Sequence, residues 1–148
     1  MLRTTLAVVL AAALLGLALP VVDGARVGHA DSQVRTELDR LETAAVDLRA
    51  TSDPVAPGRP GARVTRSLRI PGATWGSAGV ERVAIPARTN GSVRWRVAGG
   101  GAHARATTPP LVAPPNGLVL EEPGRHRLAL SLQRREGRVV VVVSRADV

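Results

Sequence analysis

The chain has no cysteine, lysine, phenylalanine or tyrosine, and Trp75 and Trp95 are its only large aromatic residues. Without cysteine there is no disulfide framework and no thiolate metal site. With so few aromatics the core must be built from Val, Leu, Ile and Ala, and a core of that kind in a 148-residue chain is small. Clustered aromatics that stack nucleobases are missing, so nucleic-acid binding is not expected. All 20 basic residues are Arg. Replacement of Lys by Arg, with heavy use of Ala, Val and Gly, suggests a GC-rich coding bias, which dilutes any functional reading of the arginines.

Catalytic constellations are missing as well. There is no GxSxG, P-loop, GxGxxG or HExxH pattern, and residues 99–101, all Gly, are followed by no helix. His29, His103 and His126 lie far apart in sequence without metal-ligand spacing. His126 shares a strand face with Leu128, which predicts a partly buried structural histidine. Glu121 and Glu122 would point to opposite faces of a strand, an arrangement unsuited to shared acid–base chemistry. The expectation is a protein that is not an enzyme, with no cofactor, no metal and no small-molecule substrate.

What the chain does have is an uncharged run, TTLAVVLAAALLGLALPVV, over residues 4–22. As a helix it would be about 28 Å long, close to the roughly 30 Å hydrocarbon core of a bilayer. Its six Leu and four Val favour insertion by about 3–6 kcal/mol in total. Two readings stand. The run is a retained anchor held in membrane lipid, or it is the apolar part of a signal peptide. In the second reading Pro20 opens the cleavage region, and Gly24, Ala25, Gly28 and Ala30 supply small residues. Arg3 precedes the run while Arg26, Arg35 and Arg40 follow it, so a strict positive-inside count keeps the remainder in the cytoplasm. Asp23, Asp31, Glu37 and Asp39 are interspersed with those arginines, and the expectation adopted is an exported domain.

Beyond the run, Val34, Leu38, Leu41, Ala45 and Leu48 recur at spacings of 4, 3, 4 and 3, a helix-packing seam of heptad type. The seam faces either its own domain or other chains. Asp31 or Ser32 is expected to cap this second helix, and Arg35–Asp39 and Glu42–Arg49 to be its charge pairs. Pro54, Pro57 and Pro60 end it and mark a semi-rigid spacer. After residue 61 the apolar period becomes two: Val64, Leu68, Ile70; Val80, Val83, Ile85; Val93, Trp95, Val97; Leu128, Leu130, Leu132. RVVVVVS, residues 138–144, is a continuous apolar run suited to a central strand buried on both faces, and residues 126–145 form the expected hairpin. The expected organisation is α+β: an anchor or signal peptide at 1–24, an amphipathic helix at 25–50, a Pro/Gly linker at 51–61, and a small antiparallel sheet or sandwich at 62–148.

Charge is split along the chain. Residues 1–50 hold five Arg against six acids, and residues 51–148 hold fifteen against six. Such a basic domain attracts acidic partners, or its arginines occupy the solvent side of strands. Asn90-Gly91-Ser92 is an N-glycosylation sequon at an expected hairpin tip, where Asn-Gly is also a favoured turn dipeptide.

An apolar helix continuing into VRTELDRLETAAVDLRA and then a β-rich domain resembles type IV pilin-like and pseudopilin-like proteins. More closely, LAVVLAAALLGLALP, ELDRLETAAVDL, DPVAPGRPGARVTRSLRIP, GRHRLAL and RVVVVVSR together resemble an uncharacterised haloarchaeal family of small membrane-anchored proteins. That resemblance implies association with type IV pilus-like or secretion components. Two departures, no basic leader ending in Gly or Ala and no Glu early in the apolar run, imply an accessory rather than a peptidase-processed major subunit. The expectation is thus a non-catalytic, single-pass protein of the cell membrane with an extracellular C-terminal domain. The alternative is a secreted Arg-rich module that engages acidic envelope polymers after leader removal.

Overall fold

The structure, a computed structural model, describes residues 2–146. Residues 1, 147 and 148, at the extremities of the expected anchor and β domain, lie outside the described residues. One α-helix, α1 (Leu2–Thr51), is followed by eight strands: β1 (Arg63–Ile70), β2 (Val80–Ile85), β3 (Val93–Val97), β4 (Ala102–Arg105), β5 (Leu111–Val112), β6 (Leu118–Leu120), β7 (Gly124–Arg135) and β8 (Arg138–Arg145). The α+β layout with an N-terminal helix is as expected.

The apolar helix continues into the amphipathic one, as expected. α1 runs without interruption through Pro20, Gly24 and Gly28. Pro20 removes one backbone hydrogen bond and crowds the Gly16 carbonyl four residues earlier, yet the helix stays continuous across it. Asp31 and Ser32 are therefore helix-interior residues, not caps. Ser32 Oγ donates back to the His29 carbonyl at 2.8 Å.

The strands form two four-stranded sheets, ordered β1-β7-β8-β5 and β4-β3-β2-β6. All pairs are antiparallel except β5–β8, where Leu111 and Val112 run parallel to Val141 and Val142. The expected all-antiparallel arrangement is corrected at that edge. β8 lies between β7 and β5, with Val141 and Val143 facing the main core and Val140, Val142 and Val112 forming a small second cluster. This is the doubly buried central strand expected of RVVVVVS. The β7–β8 hairpin closes on Glu136 (φ 50°) and Gly137 (φ 75°), left-handed at both turn positions as a two-residue hairpin loop requires.

Residues 51–61 are not a free spacer. Val55 N–H donates to the Leu132 carbonyl at 3.3 Å, and Arg134 N–H donates to the Val55 carbonyl at 2.9 Å. Val55 thereby continues the β1 side of β7 past the end of β1.

One core joins the helix to both sheets. Ala30, Val34, Leu38, Leu41, Ala45 and Leu48 of α1 share it with Leu68, Ile70, Leu128, Leu130 and Leu132 of the first sheet and Val83, Ile85, Val93, Trp95 and Val97 of the second. The first half of α1 contributes nothing to it, since the large apolar residues from Leu6 to Val22 are 53–72% exposed. Substitutions in the two halves should therefore diverge. Leu38→Ala, at a position 1% exposed, is expected to destabilise the domain by about 2–5 kcal/mol. Leu14→Ala, at a 60% exposed position, should leave the unfolding midpoint unchanged. Thermal unfolding of the full chain in detergent, followed by circular dichroism, checks the contrast.

Candidate functional site

Three features compose the site: the exposed apolar half of α1, the seam that seals the core, and the carboxylates that lock the helix to the sheets. The helix is long and apolar enough to cross a membrane, and none of its apolar window is buried. The seam residues Val34, Leu38, Leu41, Ala45 and Leu48 all pack into the protein's own β domain. Ala30 extends the seam one turn towards the N-terminus.

The helix carries six acidic residues, and four of them reach the β domain. Asp31 accepts a hydrogen bond from Trp95 Nε1 at 2.7 Å and another from Arg35 Nε at 2.8 Å. His103, paired with Trp95 across β3 and β4, stacks on its ring with centroids 5.4 Å apart, and its Nε2 lies 3.6 Å from Asp31. Arg35 covers the Trp95 ring at 5.4 Å. Glu37 accepts the Arg69 backbone N–H at 3.1 Å and pairs with Arg40 at 2.7 Å. Asp39 and Glu42 grip the Arg105 guanidinium together, and Glu42 also accepts the Thr108 N–H at 2.9 Å.

The expected pairs Arg35–Asp39 and Glu42–Arg49 do not form. Arg35 turns to Asp31, while Asp39 and Glu42 turn to Arg105. An arginine fork aimed at two carboxylates makes stronger hydrogen bonds than single surface pairs along one helix. Sequence spacing along the helix carried no trace of a partner more than sixty residues away.

Two of these groups titrate away from their ordinary values. Partial burial acts to raise the Asp31 carboxyl, but hydrogen bonds from Arg35 and Trp95 and the charges of His103 and Arg35 outweigh it, and the net shift is below 3.8. The hydrogen bond from Asp39 leads the causes that raise Arg105, with desolvation opposing and the charges of Glu42 and Asp39 adding. Arg105 is thus protonated throughout the accessible pH range.

The remaining residues singled out by sequence do not converge. His29 sits on α1, its Nε2 2.9 Å from Gln33. His103 is on β4, and His126 on β7 donates through Nε2 to the Glu122 carbonyl at 2.7 Å. His126 is partly buried, as expected. Glu121 and Glu122 lie in the loop between β6 and β7, not on a strand, and Glu121 pairs with Arg82 at 2.9 Å. Asn90 is exposed in the β2–β3 connection. That turn closes from the Gly91 N–H to the Arg88 carbonyl at 3.1 Å, so its central pair is Thr89-Asn90 and not Asn90-Gly91. A groove of about 560 Å³ runs between α1 and the β1–β2 loop, lined by His29, Glu37, Arg40, Arg69 and Trp75 among others. Among the described residues, no group of three or more His, Asp or Glu is placed to hold a metal ion.

The Asp31 cluster sets a pH dependence. A carboxyl whose folded-state pKa is depressed stabilises the fold above its unfolded value, and that stabilisation drains away as pH falls through the folded one. Unfolding free energy should therefore fall below about pH 4, and Asp31→Asn should flatten that acid limb while retaining an acceptor for Trp95. Asp31→Ala, which strands a buried indole N–H, should cost about 1–3 kcal/mol at neutral pH. Urea titrations at stepped pH measure both.

No curated protein and no solved structure is similar to this chain. Residues 1–146 match the family model described as Domain of unknown function (DUF7311), and the chain belongs to that family.

Proposed function

We propose that this is a non-catalytic, single-pass structural or accessory protein of the cell membrane. Its β domain is displayed on the extracellular side, and it works as a component of an archaeal type IV pilus-like or secretion assembly. The observation that carries this reading is the division of one rigid helix into two halves. Residues 4–22 are apolar, uncharged and exposed, whereas residues 30–48 furnish one wall of the β domain's core.

A helix satisfies its own backbone hydrogen bonds, so an exposed apolar rod is stable in lipid and costly in water. The same layout, a helix shared between membrane and β domain, is what links the chain to pilin-like proteins. The locked polar contacts further support a scaffolding role. Asp31, Glu37, Asp39 and Glu42, acidic groups available in principle for other work, are all engaged in holding the rod to the sheets.

Carbonate washing of membranes followed by N-terminal sequencing and protease mapping tests the proposal. Intact protein in the washed membrane, with its β domain cut by external protease, is the expected result. A soluble form starting near Asp31 overturns it in favour of the secreted Arg-rich module. Leu14→Arg places a charge at the centre of the span, where insertion scales assign a cost of about 2.5–3.5 kcal/mol. It should shift the protein from the washed pellet towards the soluble fraction while leaving the β domain folded.

A further inference from the structure

At the end of the β domain nearest the apolar half of α1, two loops touch the helix, and neither contains a charged residue. The β1–β2 loop reads PGATWGSAG over residues 71–79, and the β3–β4 turn reads AGGG over residues 98–101. Both are tied to the helix just past the apolar run. The Ala78 N–H donates to the Arg26 carbonyl at 3.2 Å, and the Arg26 guanidinium donates to the Thr74 carbonyl at 2.8 Å. The β3–β4 turn lies against Val27, so close that a side-chain carbon at Gly100 would sit 2.7 Å from a Val27 methyl.

Trp75 stands at the tip of the first loop and is 93% exposed. The tip is rigid. Thr74 N–H donates to the Ser77 carbonyl at 2.8 Å, Val80 N–H to the Pro71 carbonyl at 2.9 Å, and Ala98 N–H to the Gly79 carbonyl at 3.2 Å. Gly79 has φ +80°, and an added Cβ would approach the Ala73 nitrogen to 2.7 Å, so the loop's return is fixed by a residue that has none.

We infer that this uncharged loop end is a membrane-contact surface, with the Trp75 indole seated among lipid headgroups. The axial distance fits. Arg26 lies four residues beyond Val22, about 6 Å along the helix, and the interfacial layer on each side of the hydrocarbon core is about 5–7 Å deep. Asp23, with Arg26 at 3.6 Å, marks the point where the helix leaves the hydrocarbon. Tryptophan is the side chain that favours this layer, since its ring is apolar and its N–H finds polar partners there. The β6–β7 loop, which carries Glu121 and Glu122, shares this end of the sheets; its Pro123 lies against Gly72, and among the described residues it makes no contact with residues 26 and 27 of the kind the two uncharged loops make. The inference rests on the membrane-anchored reading and adds to it a second, independent point of contact that fixes how deep and how upright the domain sits.

The full chain, reconstituted in phosphatidylcholine–phosphatidylglycerol vesicles, supplies the test through tryptophan fluorescence. Trp95 is 2% exposed, so subtracting the spectrum of Trp75→Phe from that of the unsubstituted chain isolates Trp75. Its emission should be blue-shifted relative to a free indole and quenched severalfold less by iodide. Lipids brominated just below the headgroup should quench it severalfold more than lipids brominated at the bilayer centre. Free access of iodide to Trp75, in vesicles that retain the protein through a carbonate wash, overturns this inference and leaves the anchor standing. Protection from iodide without quenching by either brominated lipid also overturns it, by pointing to contact between copies of the chain. Loss of the protein in the wash overturns the anchor and this inference together.

Discussion

The core between the two four-stranded sheets contains no Phe or Tyr, and the second half of α1 supplies one of its walls. That constraint governs the rest of the molecule. Isolated helices are marginal in water, and most helical stability comes from packing of one face. Burial of Ala30, Val34, Leu38, Leu41, Ala45 and Leu48 holds this half in helical form and gives the preceding turns a formed end to propagate from. The apolar half therefore needs no tertiary contact of its own to be a helix. Because the rod is unbroken, the direction in which residues 4–22 leave the domain is decided by packing that lies entirely within the domain.

Apolar burial is non-directional, and Leu or Val could be satisfied with the helix rotated or slid by a turn. The carboxylates remove that freedom. Asp31 must meet the Trp95 N–H, Glu37 the Arg69 N–H, and Asp39 with Glu42 the Arg105 fork. A one-turn slip would break all of them and leave Trp95 with a buried donor unpaired. The charge division along the chain, near balance on the helix and an arginine excess in the β domain, is thus partly consumed inside the molecule. Arg105 is the clearest case of an arginine whose partner is the protein itself.

Much of this was legible because it is periodic. The uncharged run, the 4-3-4-3 seam, the alternating strands β1, β2, β3 and β7 and the continuous apolar run of β8 are all long enough to be read. What escaped was short or non-local. β4, β5 and β6 have four, two and three residues, too few for alternation to register, and prolines and glycines around them read as turns. The parallel β5–β8 pair follows from three-dimensional adjacency that no local pattern encodes. Residues 51–61 looked like a spacer because of their prolines, yet Val55 between two of them bonds to β7 through its N–H and carbonyl alone. The apolar helix was expected to continue into the amphipathic one, but Pro20, Gly24 and Gly28, each a poor helix former in water, suggested a fresh cap at Asp31 or Ser32 that the unbroken helix does not need. Of the candidate site, the seam residues could be named from sequence, though not the surface they pack against. The role of Asp31 could not, since its key partner is sixty-four residues away.

The two tryptophans divide the chain's sparse aromatic content by environment. Trp95 is buried because Asp31 gives its N–H a partner, and the ring then anchors Arg35 and His103. Trp75 has no such place in the core, yet its loop is held as firmly as a core turn. A fully exposed indole on a rigid mount does nothing for folding in water, where a polar residue would serve at least as well. Along the helix, charge begins at Asp23. In the domain, the two loops that touch the helix at residues 26 and 27 are uncharged. Segments some fifty and seventy-five positions away in sequence thus bring uncharged loops against the helix just past its apolar run. A domain surrounded by water on every side has no physical reason to gather them there, whereas the proposed lipid contact does.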